Sequence, residues 1–245
     1  MIMVLKTASI LLSYPSQEIH QALPGLIGVL EGGNQSKDKE TSLLIDLARN
    51  IAEGDMYDMQ ERYVHLFDRT RSLSLHLFEH VHGESRDRGQ AMVDLMSVYE
   101  TGGFAINERE LPDYLPLFLE YASTLSEQEA RELLSQTLHI ITAMRERLKK
   151  RKSIYAKAFW ALEKFAKSRP DSSLVETILA RPEDDPDDLE ALDAIWEEEV
   201  VTFGGNSGEG DCGPDRMQRQ IRASQRKADN LEKNPNANAV QREAR

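Results

Sequence analysis

Cysteine is almost absent. Cys212 stands alone among 245 residues, so no disulfide can close within the chain, and a reducing, cytoplasmic compartment is expected. Aromatic residues make up only 7%, and runs rich in Val, Ile and Thr are scarce, which argues against a sheet protein. No stretch approaches the roughly 18 apolar residues of a membrane-spanning helix. The opening Met1–Leu12 is expected to be an amphipathic first helix rather than a secretion signal, because Lys6 interrupts its apolar run and Tyr14-Pro15 follows where small residues should stand. Phosphate-cradling and nucleophile-elbow motifs are missing too; Gly83-Glu84-Ser85-Arg86-Asp87 fits none of them.

What the chain does have is Leu, Ala, Glu, Gln, Lys and Arg, residues that lose little freedom in a helix. An all-α fold is expected. Helices are read over 2–13, 16–30 (with Pro24 a point of bending), 39–52 and 56–67. A further helix opens at Ser85 or Asp87, carries Ala91, Met92, Leu95 and Tyr99 on one side, and ends at Gly102-Gly103. Asn107 and Glu110 have capping spacing before a helix from Leu111 toward Tyr121. Ser126 and Glu129 form a clearer capping box before one long helix reaching Lys150. Helices over 154–167 and 172–180 complete the reading. Ser72–Leu77 alternates polar and apolar like a strand, yet a lone strand cannot satisfy its own backbone groups.

The charge is unevenly placed. The formal net charge is −12, with −14 in residues 1–203 and +2 in 204–245. Such an acidic body repels nucleic acid and anionic lipid and favours a basic partner. The bias peaks from Glu183 to Glu199, with ten acidic and no basic side chains. Within it Leu189, Leu192, Ile195, Trp196 and Val200 keep helical spacing, so a helix with one apolar stripe and a negative back is expected. Residues 204–245 are Gly-, Asn- and charge-rich and are expected to form a flexible, disordered tail after a helical domain spanning 1–203.

One segment invites a catalytic reading. His76-Leu77-Phe78-Glu79-His80 matches the H-x-x-E-H pattern of some zinc hydrolases, with His82 nearby. On a helix, however, His80 and His82 would point about 200° apart, and no third ligand announces itself downstream. The same stretch also reads as a joint between helices locked by ion pairs, or as an interaction surface. Asp68, Arg69, Arg71, Glu79, His80, His82, Glu84, Arg86, Asp87 and Arg88 supply both charges for either role.

These residues resemble a known family. Phe67-Asp68-Arg69-x-Arg71, continuing through Leu77-Phe78-Glu79-His80-Val81-His82-Gly83-Glu84-Ser85-Arg86-Asp87-Arg88-Gly89, is similar to the central signature of the NarJ-type nitrate reductase molybdenum cofactor assembly chaperones. Glu110–Tyr121 and Ala191–Phe203 resemble two further motifs, and Leu11-Leu12-x-Tyr14-Pro15 resembles the opening. The order is kept over residues 1–203. Two positions depart from the pattern: His76 stands where the family is usually apolar, and Tyr114 where it often has His.

The resemblance implies a helical bundle of the TorD-like redox-enzyme chaperones, without cofactor, resident metal or catalytic residues. Its partner would be the apo catalytic subunit of a respiratory nitrate reductase, including that subunit's basic amino-terminal peptide. The subunit would be held ready for molybdenum cofactor insertion before membrane docking, with the cofactor delivery machinery as a further partner. Asp113, Tyr114, Glu120, Trp196, Glu197, Glu198 and Glu199 are the client contacts this reading proposes. The competing readings are the zinc hydrolase and the same chaperone role for another molybdoenzyme.

Overall fold

The structure, a computed structural model, describes residues 2–33, 38–81, 87–107 and 110–183. Among the described residues ten α-helices follow one another: α1 (Met3–Leu12), α2 (Gln17–Gly32), α3 (Lys39–Glu53), α4 (Met56–Phe67), α5 (Asp87–Thr101), α6 (Leu115–Thr124), α7 (Glu127–Gln136), α8 (Leu138–Lys150), α9 (Ala156–Ala166) and α10 (Ser172–Leu179). Two 3₁₀ turns, Arg71–Leu73 and Leu77–His80, lie between α4 and α5. Among the described residues the β structure is an isolated antiparallel bridge, His76 to Tyr114. The all-helical reading holds.

Apolar spacing explains the packing. Leu5, Ala8 and Leu12 on α1, and Ala158, Ala161, Leu162 and Phe165 on α9, are buried in one continuous core. Small residues on both helices allow close approach, and α1 packs on α3, α6 and α9 while α9 also packs on α3 and α8. A smaller cluster of Tyr99, Leu117 and Tyr121 sits under α5, with Leu95 and Phe104 against it. Tyr99 is the one fully buried side chain that α5 supplies, while Ala91, Met92 and Leu95 on the same side are half-buried. Gly102 ends α5 where a Cβ would meet Tyr121 Oη at 2.6 Å, and Gly103 follows at φ +71°.

Helix ends are set by local chemistry. Asp55 and Asp171 accept from the first free N–H groups of α4 and α10, and Ser126 with Glu129 forms the reciprocal capping box of α7. Helix α2 runs unbroken through Pro24.

Two boundaries differ from the sequence reading. The long helix expected from Ser126 to Lys150 breaks at Thr137. Its Oγ1 donates to Leu134 O at 3.1 Å, and its backbone sits at φ −101°, ψ 3°. Helix α6 starts at Leu115 rather than Leu111, because residues 113–115 spend their backbone groups on another segment. Asp113 O accepts from Leu77 N–H at 3.0 Å, and Leu115 N–H donates to Leu75 O at 2.8 Å. The alternation of residues 72–77 therefore marks a short extended rung between 3₁₀ turns, with a partner after all.

Candidate functional site: a latched turn between helices

The rung between 75–77 and 113–115 brings the first two signature segments together. At its centre lies Asp113, with 0% exposure. One carboxylate oxygen accepts from His76 Nδ1 at 3.1 Å, and the other from the backbone N–H of Phe78 at 3.1 Å. Arg88, at the start of α5, donates to Glu79 Oε1 at 3.2 Å and reaches within 4.0 Å of Asp113 Oδ2. A buried carboxylate satisfied in this way fixes one turn of chain against another.

Tyr114 stands beside this group. Its ring lies 5.5 Å from that of His76, and its hydroxyl is 3.1 Å from Tyr63 Oη. Tyr63 gives its proton to Leu12 O at 2.9 Å, which leaves Tyr114 to donate to Tyr63. Burial pushes both phenols above their ordinary range. Tyr14, Phe67 and Tyr155 surround Tyr63 edge-on, and burial lifts the Tyr155 hydroxyl to about 12.

The two imidazoles of the apparent zinc motif point to different tasks. The hydrogen bond to Asp113 raises the pKa of His76, against a smaller opposing effect of burial. His80 is 4% exposed, and its Nε2–H donates to Ser74 O at 2.8 Å. Burial lowers its pKa, so it stays neutral. The segment is not an α-helix that would bring the two imidazoles onto one face, because Leu77–His80 is a 3₁₀ turn. Among the described residues no group of three or more His, Cys, Asp or Glu is placed to hold a metal ion.

The structure sorts the remaining residues of the sequence reading. His76, Glu79, Arg88, Asp113 and Tyr114 converge. Asp68, at the exposed end of α4, is close enough to His76 to feel its charge, while partial burial raises its pKa. Arg69 and Arg71 are exposed beside the first 3₁₀ turn, and Asp87 opens α5. Glu120 lies elsewhere on α6, paired with Lys6 of α1. The interior position of Asp113 has a consequence for its expected role: its carboxylate positions Phe78 and His76 and is not open to a partner. His82, Glu84, Arg86, Trp196, Glu197, Glu198, Glu199 and the expected tail lie outside the described residues.

Arg147 is the residue that sequence reasoning missed. It is 3% exposed on α8, and it donates to Ser72 O and to Ile178 O, each at 2.7 Å. One guanidinium thus ties the first 3₁₀ turn to the last turn of α10. Beside it, Arg151 Nη2 lies 3.4 Å from Ser72 Oγ and 3.7 Å from Glu183 Oε2. The signal was present in the sequence. Arg147 continues the stripe of Ile140, Ala143 and Met144 and so had to face inward.

Comparison with known proteins assigns this architecture. Residues 34–161, just over half the chain, match the profile of the nitrate reductase delta subunit family. The chain is 42% identical over 211 residues to the nitrate reductase molybdenum cofactor assembly chaperone NarJ of Escherichia coli K12, covering 86% of this chain and 89% of that protein. It is 40% identical over 200 residues to the probable assembly chaperone NarW of the same strain, covering 82% and 83%. Among solved structures, one titled as a redox enzyme maturation protein from Archaeoglobus fulgidus aligns at 21% identity with a TM-score of 0.48, covering 67% of this chain and 92% of that one. The chain belongs to the family of nitrate reductase molybdenum cofactor assembly chaperones. It is a chaperone and not an enzyme, so the zinc-hydrolase reading falls.

Proposed function

We propose that this chaperone binds the apo catalytic subunit of a respiratory nitrate reductase in the cytoplasm and holds it open for molybdenum cofactor insertion. On this reading it first takes the subunit's basic amino-terminal peptide and works alongside the cofactor delivery machinery. The observation that carries the proposal is the family membership joined to the net −14 of residues 1–203. A basic peptide would be steered by that field, and an amphipathic one would add apolar contact. Around the latched turn, Val81 and Leu111 are 45% and 48% exposed. Asp68, Glu79 and Tyr114 lie at the same turn. Glu120 and the run at Trp196, Glu197, Glu198 and Glu199 are proposed as further contacts. Asp113 acts behind the surface, through Phe78 and His76. Among the described residues no helix is long and apolar enough to cross a membrane.

Calorimetry with a synthetic basic, amphipathic peptide from the amino terminus of the catalytic subunit tests the reading. Association should slow as salt rises, while apolar contacts retain part of the affinity. Reversing Glu197, Glu198 and Glu199 to Lys should weaken binding without unfolding the chain. Undetectable binding at low salt would sink the peptide model. Unchanged affinity in the triple variant would remove only the acidic run from the site.

Residues 1–203 are proposed as the working domain. A chain ended after Phe203 should keep its melting temperature within a few degrees, corresponding to about 1 kcal/mol. A larger fall would mean that residues 204–245 contribute to the fold.

A further inference from the structure

Two imidazoles four residues apart fasten the same turn, and their surroundings favour opposite protonation states. His76 donates through Nδ1 to the buried carboxylate of Asp113. The charged groups that act on it are Asp113 and Glu79, which favour its proton, and Arg88, which opposes it; Asp68 on α4 feels the imidazolium in turn. His80 is enclosed, donates to the carbonyl of Ser74, and is disfavoured as a cation by Arg147 and Arg181, with Glu79 acting the other way. Ser74 links the pair, since its Oγ also accepts from the backbone N–H of His76 at 3.2 Å.

We infer that residues 74–80 form a proton-bounded latch, which grips residues 113–115 most firmly when His76 is charged and His80 neutral. The two limbs follow from the two environments. His76 titrates above the ordinary imidazole value of 6.5, so its contribution is complete below 6.5 and is lost as pH rises through its raised pKa. His80 titrates below 6.5, so its contribution is complete above 6.5 and is lost as pH falls through its lowered pKa. Grip is therefore greatest near 6.5 and slackens on both sides. The bonds released first are local: Phe78 N–H to Asp113, Leu77 N–H to Asp113 O, and Leu115 N–H to Leu75 O.

Amide hydrogen exchange of the full chain, corrected for the intrinsic pH dependence of exchange, tests the latch between pH 5 and 8.5. Protection in peptides covering 75–81 and 113–116, referred to α9 as an internal standard, should pass through a maximum. It should fall about threefold or more on each side, the scale expected of one partly screened charge interaction. His76→Gln keeps an amide donor near Asp113 but cannot titrate, and it should flatten the alkaline limb alone. His80→Gln should flatten the acid limb alone. Flat protection in the unaltered chain overturns the latch, and so does an alkaline limb that survives in His76→Gln. If His80→Gln fails to fold, the His76→Gln profile still decides. The readout involves no client, so its outcome is independent of peptide binding.

Discussion

Replacing Arg147 with leucine should cost about 3 kcal/mol of folding stability, from two charge-assisted hydrogen bonds at about 1.5 kcal/mol or more each. The side chain is 97% covered and bonds to the carbonyls of Ser72 and Ile178. Leucine fills much of the volume but leaves both carbonyls without that donor. Lysine restores the charge but cannot span both acceptors as a planar fork does, so Arg147→Lys should recover less than half of the loss. Urea unfolding followed by circular dichroism gives the measurement, with an unchanged slope as the sign that only stability has moved. The loss should be accompanied by faster amide exchange in α10, whose carboxyl end the guanidinium holds. A fall below about 1 kcal/mol would mean that water replaces the guanidinium at little cost.

Asp113→Ala should be of similar size, about 2–3 kcal/mol, for the opposite reason. Here the acceptor is removed. The Phe78 N–H loses its partner, and His76 and Arg88 lose the carboxylate between them. Asp113→Asn keeps an oxygen for Phe78 and should lose about half as much, while removing the carboxylate whose hydrogen bond, and then charge, raises the pKa of His76. A proton NMR titration of the His76 ring should then show its midpoint moving down. If Asn matched Ala in stability and left the midpoint in place, the carboxylate would not be the hub of the turn. Both aspartate variants should also weaken client-peptide binding, because Phe78 and Tyr114 would no longer be held in register.

Much of the fold was legible because it follows from periodicity and punctuation. The capping box at Ser126 and Glu129, the stop at Gly102-Gly103 and the apolar spacing of α3 and α4 each act through neighbouring residues, and the chain alone displays them. Contacts between distant segments were not legible. Nothing near His76 in the sequence reveals that Asp113 will meet it, and so a rung looked like a strand without a partner, and then like half of a zinc site. Position 113 looked available to a client because it lies in a motif shared with client-binding chaperones, and charged residues are mostly exposed. Burial of its carboxylate depends on a backbone N–H and an imidazole supplied from 35 and 37 residues away. The two departures from the family pattern, His76 and Tyr114, were read separately. The structure sets them opposite each other across the isolated bridge, ring beside ring. Arg147 is concealed by company: it stands among Arg145, Lys149, Lys150 and Lys152 near the end of α8, although its phase is that of the core.

Helix α5 is moored near both ends, by Arg88 on Glu79 at its start and by Tyr99 near its finish. Tyr99 is its single buried side chain, and the hydroxyl donates to Pro112 O at 2.7 Å, while Val93, Met96 and Val98 face outward. If Tyr99 withdraws, Leu117 and Tyr121 are uncovered, while the core residues of α1 and α9 keep their own partners. The molecule therefore has two separate opening free energies. One belongs to the whole bundle; a smaller one, set by the ring contacts of Tyr99, its bond to Pro112 O, the packing of Leu95 and the bond from Arg88 to Glu79, belongs to this helix. Opening of α5 alone should bare Leu117 and Tyr121 and leave the rest of the bundle folded.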